Sequence, residues 1–335
     1  MRKAVLMINL GTPDNPGRKA VGRYLREFLN DPMVIDLPAI ARWILVNGII
    51  IPFRVSKSSA LYRRVWTDKG SPLLFHMERL KEKLQKGAGD GYDVFMAMRY
   101  RKPSIDKVLA EINRRGYDYL QVWPFYPQYA SSTTGSVIRK VEELLPSFES
   151  IAKVHIVRHF YATDAFVNSY ALRIADFQPG HFDHLLFSFH SVPLNQINNL
   201  HPAIHCNNCN CSVEMPDHGA ECYKAGCYDT ARRIARKLDL PDERYSVAFQ
   251  SRFARKWLGP FVSDSLTDLR SRGVKRLMVV APSFTVDCLE TIVEIGQDYR
   301  QLFLELGGEE LTLVECLNAS DFWVSSLHNE IIRRF

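Results

Sequence analysis

Eight short apolar runs punctuate this chain, and hardly any of them alternates apolar with polar residues. They lie at about 4–10 (AVLMINL), 93–99 (DVFMAMR), 119–124 (YLQVWP), 153–159 (KVHIVRH), 184–189 (HLLFSF), 245–250 (YSVAFQ), 276–281 (RLMVVA) and 311–316 (LTLVEC). Continuous runs of this length suit strands covered on both faces, as in a parallel sheet between helix layers. The stretches between them, such as 104–115 (SIDKVLAEINRR) and 228–238 (YDTARRIARKL), carry helical spacing and charge. The two halves also end their strands alike: NLGTP against FHSVP, Arg99-Tyr100 against Arg252-Phe253, and Pro124-Phe125-Tyr126 against Pro282-Ser283-Phe284. Three echoes in the same order predict an α/β fold of two similar Rossmann-like domains, each a four-stranded parallel sheet flanked by helices. The expected bounds are 1–160 and 161–319, with a last helix over 320–335 returning to the first domain. Ligands of such sheets bind beyond the carboxyl ends of the strands, where every echo falls, so the site is expected in the cleft between the domains.

Composition narrows the class. Lys plus Arg number 43 against 37 Asp plus Glu, a mild basic excess of +6. No run of five like charges occurs, which argues against a nucleic-acid partner. The apolar run at the amino end is too short for a secretory signal, and no run approaches the roughly 18 apolar residues of a transmembrane helix. The expectation is a soluble, cytoplasmic protein. Five of the seven cysteines, Cys206, Cys209, Cys211, Cys222 and Cys227, crowd into one segment. In a reducing compartment such a cluster points to metal rather than to disulfides.

Several residues could carry chemistry. His190 follows LLFSF directly and precedes Ser191-Val192-Pro193. A histidine there is placed for a base or a metal ligand, though it could equally serve only its own turn. Asp287, Glu290, Glu294 and Asp298 are spaced three, four and four apart. Spacing of four lines up better on a π-turn than on an α-helix, and π-turns are frequent at functional sites. A solvated, dipole-favoured helix start is the plainer explanation. Ser131-Ser132-Thr133-Thr134-Gly135-Ser136 could hold carboxylates or simply cap a helix. Arg54, Lys57 and Ser71 flank a second such region, YRRVWTDKGSP. The segment 40–53 (IARWILVNGIIIPF) reads as core or as an exposed apolar lip.

In order along the chain, NLGTP (9–13), GSPL (70–73), FYPQYASSTTGS (125–136), FSFHSVP (187–193), FQSRF (249–253), KWLGP (256–260) and VDCLET (286–291) resemble the ferrochelatases. The resemblance runs from residue 4 to about 320, interrupted at about 199–222. It implies a lyase that inserts ferrous iron into protoporphyrin IX, the last step of protohaem synthesis. It matches His190 to the family's essential histidine and Glu290 to its partner carboxylate on the opposite wall. Both are then catalytic residues and ligands of the substrate iron. Asp287, Glu294 and Asp298 match an acidic track. Arg99 and Tyr100 match a pair lining the pocket, Asn9 and Leu10 the turn beneath the ring, Trp257 and Phe284 aromatic walls. Arg54, Lys57 and Ser71 match groups that meet the propionates, and the lip at 40–53 becomes a surface for peripheral membrane contact. Cys288 stands where some members have histidine.

The departure is the insert, residues 201–227. Its spacing, C-x2-C-x-C-x10-C-x4-C, supplies enough thiolates for a [2Fe–2S] cluster or for a structural zinc. Resemblance to members with internal cysteines favours the cluster, on Cys206, Cys209, Cys211 and Cys222, with Cys227 spare or an alternative ligand. A haem- or metal-binding redox sensor is the competing class. The pairing of His190 with Glu290 argues for the enzyme, because a passive carrier does not require it.

Overall fold

The computed structural model describes residues 1–148, 151 and 153–335. Among these residues eight strands form two sheets: β1 (Lys3–Asn9), β2 (Asp93–Met98), β3 (Tyr119–Pro124), β4 (Lys153–Ile156), β5 (His184–His190), β6 (Tyr245–Gln250), β7 (Arg276–Val280) and β8 (Glu310–Val314). The first sheet has the order β2-β1-β3-β4 and the second β6-β5-β7-β8. All six pairings are parallel. The echo between the halves is thus a repeated topology. Both chains of strands begin at a central strand, cross to one edge and then fill the other side.

Contacts divide the chain into two compact units. One holds Met1–Tyr126, Ser131–His159 and Ala319–Phe335; the other holds Pro127–Ala130 and Phe160–Asn318. In the first, Leu6, Ile8, Leu120 and Val122 of the sheet pack with Leu109, Ile112, Val137 and Val141 from the helices Ile105–Arg115 and Ser136–Leu144. In the second, Leu186, Ala248 and Leu277 pack with Leu266, Leu269, Ile295 and Phe303. Each such side chain contributes about 1.5–3 kcal/mol by leaving water, which is why the uninterrupted runs settle as two-faced strands. The helix Asp321–Arg333 belongs to the first unit. It buries Trp323, Leu327 and Ile331, and Lys83 fastens its start through the Ala319 carbonyl at 2.7 Å and Asp321 at 2.6 Å.

One expectation is revised. The helices Ala39–Ile44, Leu45–Ile50 (a π-turn) and Ile51–Val65 run on as one, and the 27-residue stretch Ala39–Val65 is long and apolar enough, by length and composition, to cross a membrane. Uninterrupted apolar residues are few here, but Asn47, Gly48 and Pro52 do not break the helix, and a longer window averages out its charges. The same helix settles core against lip. Val46 and Ile51 are buried against Val21 and Leu25, while Ile40, Trp43, Ile44, Ile49 and Phe53 are exposed, Phe53 by 83%.

Candidate active site

The chemistry in the second unit gathers at the carboxyl end of β5. His190 is its last residue, paired in register with Gln250 at the end of β6. Its Nδ1 lies 2.6 Å from the Ser191 carbonyl oxygen. A carbonyl only accepts, so Nδ1 carries a proton and Nε2 is the ring atom left to face the site. The backbone is fixed as firmly: the His190 N–H donates to the Ser283 hydroxyl at 3.2 Å, and the Tyr223 hydroxyl donates to the His190 carbonyl at 2.6 Å. Trp257 and Phe284 stand beside the ring, with centroids 6.5 and 6.4 Å away. Trp257 reaches that position because the 256–258 segment pairs with Val192 and Leu194 just after the histidine.

The acidic stripe lies on the π-helix that its spacing of four anticipates, Glu290–Tyr299. The structure divides it, however. Glu294 faces both His190 and Glu290. Burial pushes its carboxyl above the usual range, hydrogen bonds from Ser251 and the charge of His190 pull it back, and Glu290 pushes it up again. Glu294 is also fully engaged. It accepts from the Ser251 N–H at 2.7 Å, the Ser251 hydroxyl at 2.5 Å, the Tyr299 hydroxyl at 3.2 Å and the Gln250 amide at 3.3 Å. It thereby anchors Ser251, which adopts a left-handed φ of 61°. Glu290 is half-buried, and the buried Cys288 thiol hydrogen-bonds to it. Asp298 is exposed at the far end.

Asp287 is not with them. It precedes the helix and is buried, accepting from the Asn318 amide at 2.7 Å, the Thr291 hydroxyl at 3.0 Å and the Cys316 N–H at 3.3 Å. Its carboxylate is held beneath the turn by these three hydrogen bonds, ahead of the π-helix that carries the other three acids.

In the first unit, Asn9 closes β1, and its side chain accepts from the Leu10 N–H at 2.7 Å. The carbonyls of Asn9 and Leu10 accept from the N–H groups of Arg99 and Tyr100 at 2.8 and 2.9 Å. The next residue must be glycine: Gly11 has φ 107°, and a Cβ there would sit 1.9 Å from the Tyr100 carbonyl oxygen. Asp31, a residue the sequence did not single out, organises this corner. One of its carboxylate oxygens accepts from Arg99 at 2.6 Å, Tyr100 at 2.8 Å and Ser136 at 2.6 Å, all buried or nearly so. The only hint was the turn-forming Asn30-Asp31-Pro32, which reads as a loop. Burial and Asp31 together raise the Tyr100 hydroxyl far above its ordinary pKa, so it remains a neutral donor. Arg54 and Lys57 project from one exposed face of Ile51–Val65, three residues apart. Ser71 is buried before the helix Pro72–Ala88.

The cysteines converge. Cys206, Cys211 and Cys222 are buried and Cys209 is half-buried. Cys209 lies near enough to raise the pKa values of the other three, and its thiol hydrogen-bonds to that of Cys211. Burial is the largest cause in each case and carries Cys211 to about 12, while the Lys224 ammonium acts in the opposite sense. His218 Nε2 is 3.6 Å from Cys209 Sγ. Gly219 lets the chain return, since a Cβ there would meet Met215 Sδ at 2.4 Å. Cys227 is fully buried within the helix Tyr223–Lys237 against Tyr223, and it too lies within electrostatic reach of Cys211 and Cys222. All seven cysteines are free thiols, and among the described residues no three His, Cys, Asp or Glu side chains are arranged so that they could hold a metal ion. By chemical type the donor set suits a soft metal: Cys209 lies within electrostatic reach of the other three thiols, and a lysine offsets thiolate charge.

Paired parallel sheets of this order define a chelatase-type fold. SirB from Bacillus subtilis with Fe3+ aligns with a TM-score of 0.54 at 10% identity, covering 99% of this chain and 95% of that one. The sirohydrochlorin chelatase SirB from Bacillus subtilis subspecies spizizenii in complex with cobalt aligns at 0.51. At sequence level the ferrochelatase family model matches residues 2–335. The ferrochelatase of Coxiella burnetii (strain CbuK_Q154) is 42% identical over 330 residues, 96% of this chain and 91% of that protein. That of Legionella pneumophila (strain Corby) is 40% identical over 337 residues, 98% of each. The chain belongs to the ferrochelatase family.

Proposed function

We propose that this protein is a lyase that inserts ferrous iron into protoporphyrin IX to form protohaem. The observation that carries the reading is the set of groups at the end of β5: His190 with Nδ1 held by the Ser191 carbonyl, Glu294 within electrostatic reach of it, and Glu290 next to Glu294 on the π-helix. The reaction exchanges one Fe2+ for two pyrrole protons, so the site must accept protons and hold a cation briefly. The neutral imidazole at Nε2 takes a pyrrole proton. Glu290 shares the incoming iron with His190. One imidazole and one carboxylate make an incomplete coordination set, which lets the iron leave, unlike a closed four-ligand structural site. Trp257 and Phe284 supply apolar faces for the macrocycle. A macrocycle bound bent, with pyrrole lone pairs out of plane, resembles the transition state. We assign Asn9 and Leu10 to the underside of the ring, Arg99 and Tyr100 to the pocket lining, and Arg54, Lys57 and Ser71 to the propionates. Of the acidic track, Glu294 and the exposed Asp298 remain, without Asp287. The test is an anaerobic assay with Fe2+ and protoporphyrin IX. Conversion of free-base to metallated absorption supports the reading; absence of conversion under those conditions rejects it.

The reading includes a resident metal in the insert, a [2Fe–2S] cluster on Cys206, Cys209, Cys211 and Cys222. What supports it is that Cys209 lies within electrostatic reach of the other three thiols, with Cys227, in similar reach of Cys211 and Cys222, as the alternative ligand. When bound, the metal supplies cross-links that fold the polar loop. The chain is expected to contain about two irons and two acid-labile sulfides, with Cys206→Ser losing both and Cys227→Ser retaining both. One zinc and no labile sulfide would restore the structural-zinc alternative.

The reading also places the protein in the cytoplasm, where its thiols stay reduced, in peripheral contact with a lipid surface through Trp43 and Phe53. Support comes from the apolar side chains exposed on Ala39–Val65 and from Arg54 and Lys57 beside them, which complement anionic headgroups. Phe53→Asp is expected to weaken sedimentation with phosphatidylglycerol-containing vesicles about tenfold, the worth of one buried aromatic side chain. Unchanged sedimentation would remove the lip from the account.

A further inference from the structure

The cysteine insert and the catalytic histidine meet through one side chain. Cys222 caps the helix Tyr223–Lys237, and the helix's first residue, Tyr223, is 5% exposed. Its hydroxyl donates to the His190 carbonyl at 2.6 Å, and the Ser283 hydroxyl accepts from the His190 N–H at 3.2 Å. Tyr223 thus holds the carbonyl of His190 directly, while Ser283 holds its N–H. The helix start is in turn tied to the insert: the Lys224 ammonium donates to the Cys206 carbonyl at 3.0 Å, and the Cys222 N–H donates to the Gly219 carbonyl at 3.0 Å. A shift of Cys222 by a fraction of an ångström has no slack to absorb it before Tyr223, because the two residues are adjacent and both are buried.

We propose that Tyr223 is a positioning residue that couples metal occupancy of the cysteine insert to the placement of His190. This rests on the reading of the insert as a metal site and of His190 as the base. A metal pulling four thiols together fixes Cys222, which fixes the first turn of the helix, which holds the Tyr223 hydroxyl against the His190 carbonyl. Without metal the loop relaxes, the hydrogen bond weakens, and the imidazole leaves its productive orientation while the aromatic walls stay in place. The insert then regulates turnover without touching substrate. The same coupling operates whether the thiols hold iron and sulfide or zinc.

The test compares wild type, Tyr223→Phe, Cys209→Ser and the double variant in protein labelled with 15N-histidine. Metal and labile sulfide, the His190 ring resonances, and kcat and KM for protoporphyrin are measured on each. Tyr223→Phe is expected to keep its metal and its porphyrin KM within about twofold. Its kcat should fall about fivefold to tenfold, the worth of one buried hydrogen bond. Its His190 resonances should move. Cys209→Ser is expected to lose the metal and to move the same resonances in the same direction, with a similar loss of kcat. The double variant should then be no slower than the slower single, because both changes remove one coupling. Losses that multiply, or His190 resonances that stay put in either single variant, overturn the proposal. So does a wild-type chain that binds neither iron nor zinc. A protein that fails to metallate porphyrin rejects the proposed activity instead, and the resonances still decide the coupling. Chelator treatment of wild type supplies the metal-free state if Cys209→Ser does not fold.

Discussion

His190→Ala is expected to abolish metallation while leaving the fold and porphyrin binding nearly intact. Two features of the structure set the size of the effect. The Ser191 carbonyl holds the Nδ1 proton, so Nε2 is the atom the ring offers as base. Loss of a positioned general base costs about a hundredfold to ten-thousandfold in rate. In the proposed function the base is also half of the iron's protein coordination, so the upper end of that range is expected. The backbone contacts of residue 190, to Ser283 and Tyr223, involve its N–H and carbonyl and survive the substitution. Thermal midpoint and porphyrin fluorescence quenching should therefore match wild type. Retention of most of the wild-type rate would remove His190 from the role of base.

Glu290→Gln is expected to be nearly as severe, at least about a hundredfold in kcat, with iron at saturation. The substitution keeps the shape of the side chain but removes the charge that shares the cation. Glu294→Gln should differ in kind. Its carboxylate accepts from both the N–H and the hydroxyl of Ser251, and an amide offers one acceptor where two oxygens were used. The left-handed Ser251 then loses its anchor, and the 251–257 segment that carries Trp257 loosens. The expected result is a lower thermal midpoint and a raised porphyrin KM, with kcat less affected. Urea unfolding and steady-state kinetics on both variants separate the two roles. Equal loss of kcat in both at saturating iron would show that the acids act as one unit.

Much of this was legible in the order of residues, for physical reasons. Uninterrupted short runs such as VFMAM and LLFSF suit strands with both faces covered, and their repetition between helix-like stretches pointed to two parallel sheets. The spacing of Glu290, Glu294 and Asp298 by four anticipated a π-helix, because that geometry keeps such residues on one side. His190 stood out because a strand end in a parallel sheet is where ligands bind. What escaped was set by tertiary contacts. Asp287 shares the spacing pattern, yet the turn before the helix rotates it toward Asn318 and Cys316. Asp31 lies in a segment that reads as a loop, and only the fold brings Arg99, Tyr100 and Ser136 to one of its oxygens. Tyr223 was visible only as a neighbour of cysteines, since its partner is a backbone carbonyl 33 residues away. The segment 40–53 was read only as an interrupted apolar stretch, because glycine and proline usually end helices, whereas here a π-turn carries the helix Ala39–Val65 through Gly48 and on past Pro52.

The most direct measurement is a single turnover. Wild type and His190→Ala are loaded anaerobically with equal amounts of protoporphyrin IX, mixed rapidly with Fe2+, and followed by the collapse of the free-base visible spectrum to the metallated one. The account predicts that bound porphyrin in wild type is metallated within one turnover, whereas the His190→Ala complex keeps its free-base spectrum at the same occupancy. Metallation at the same rate in both complexes, or in neither, would contradict it.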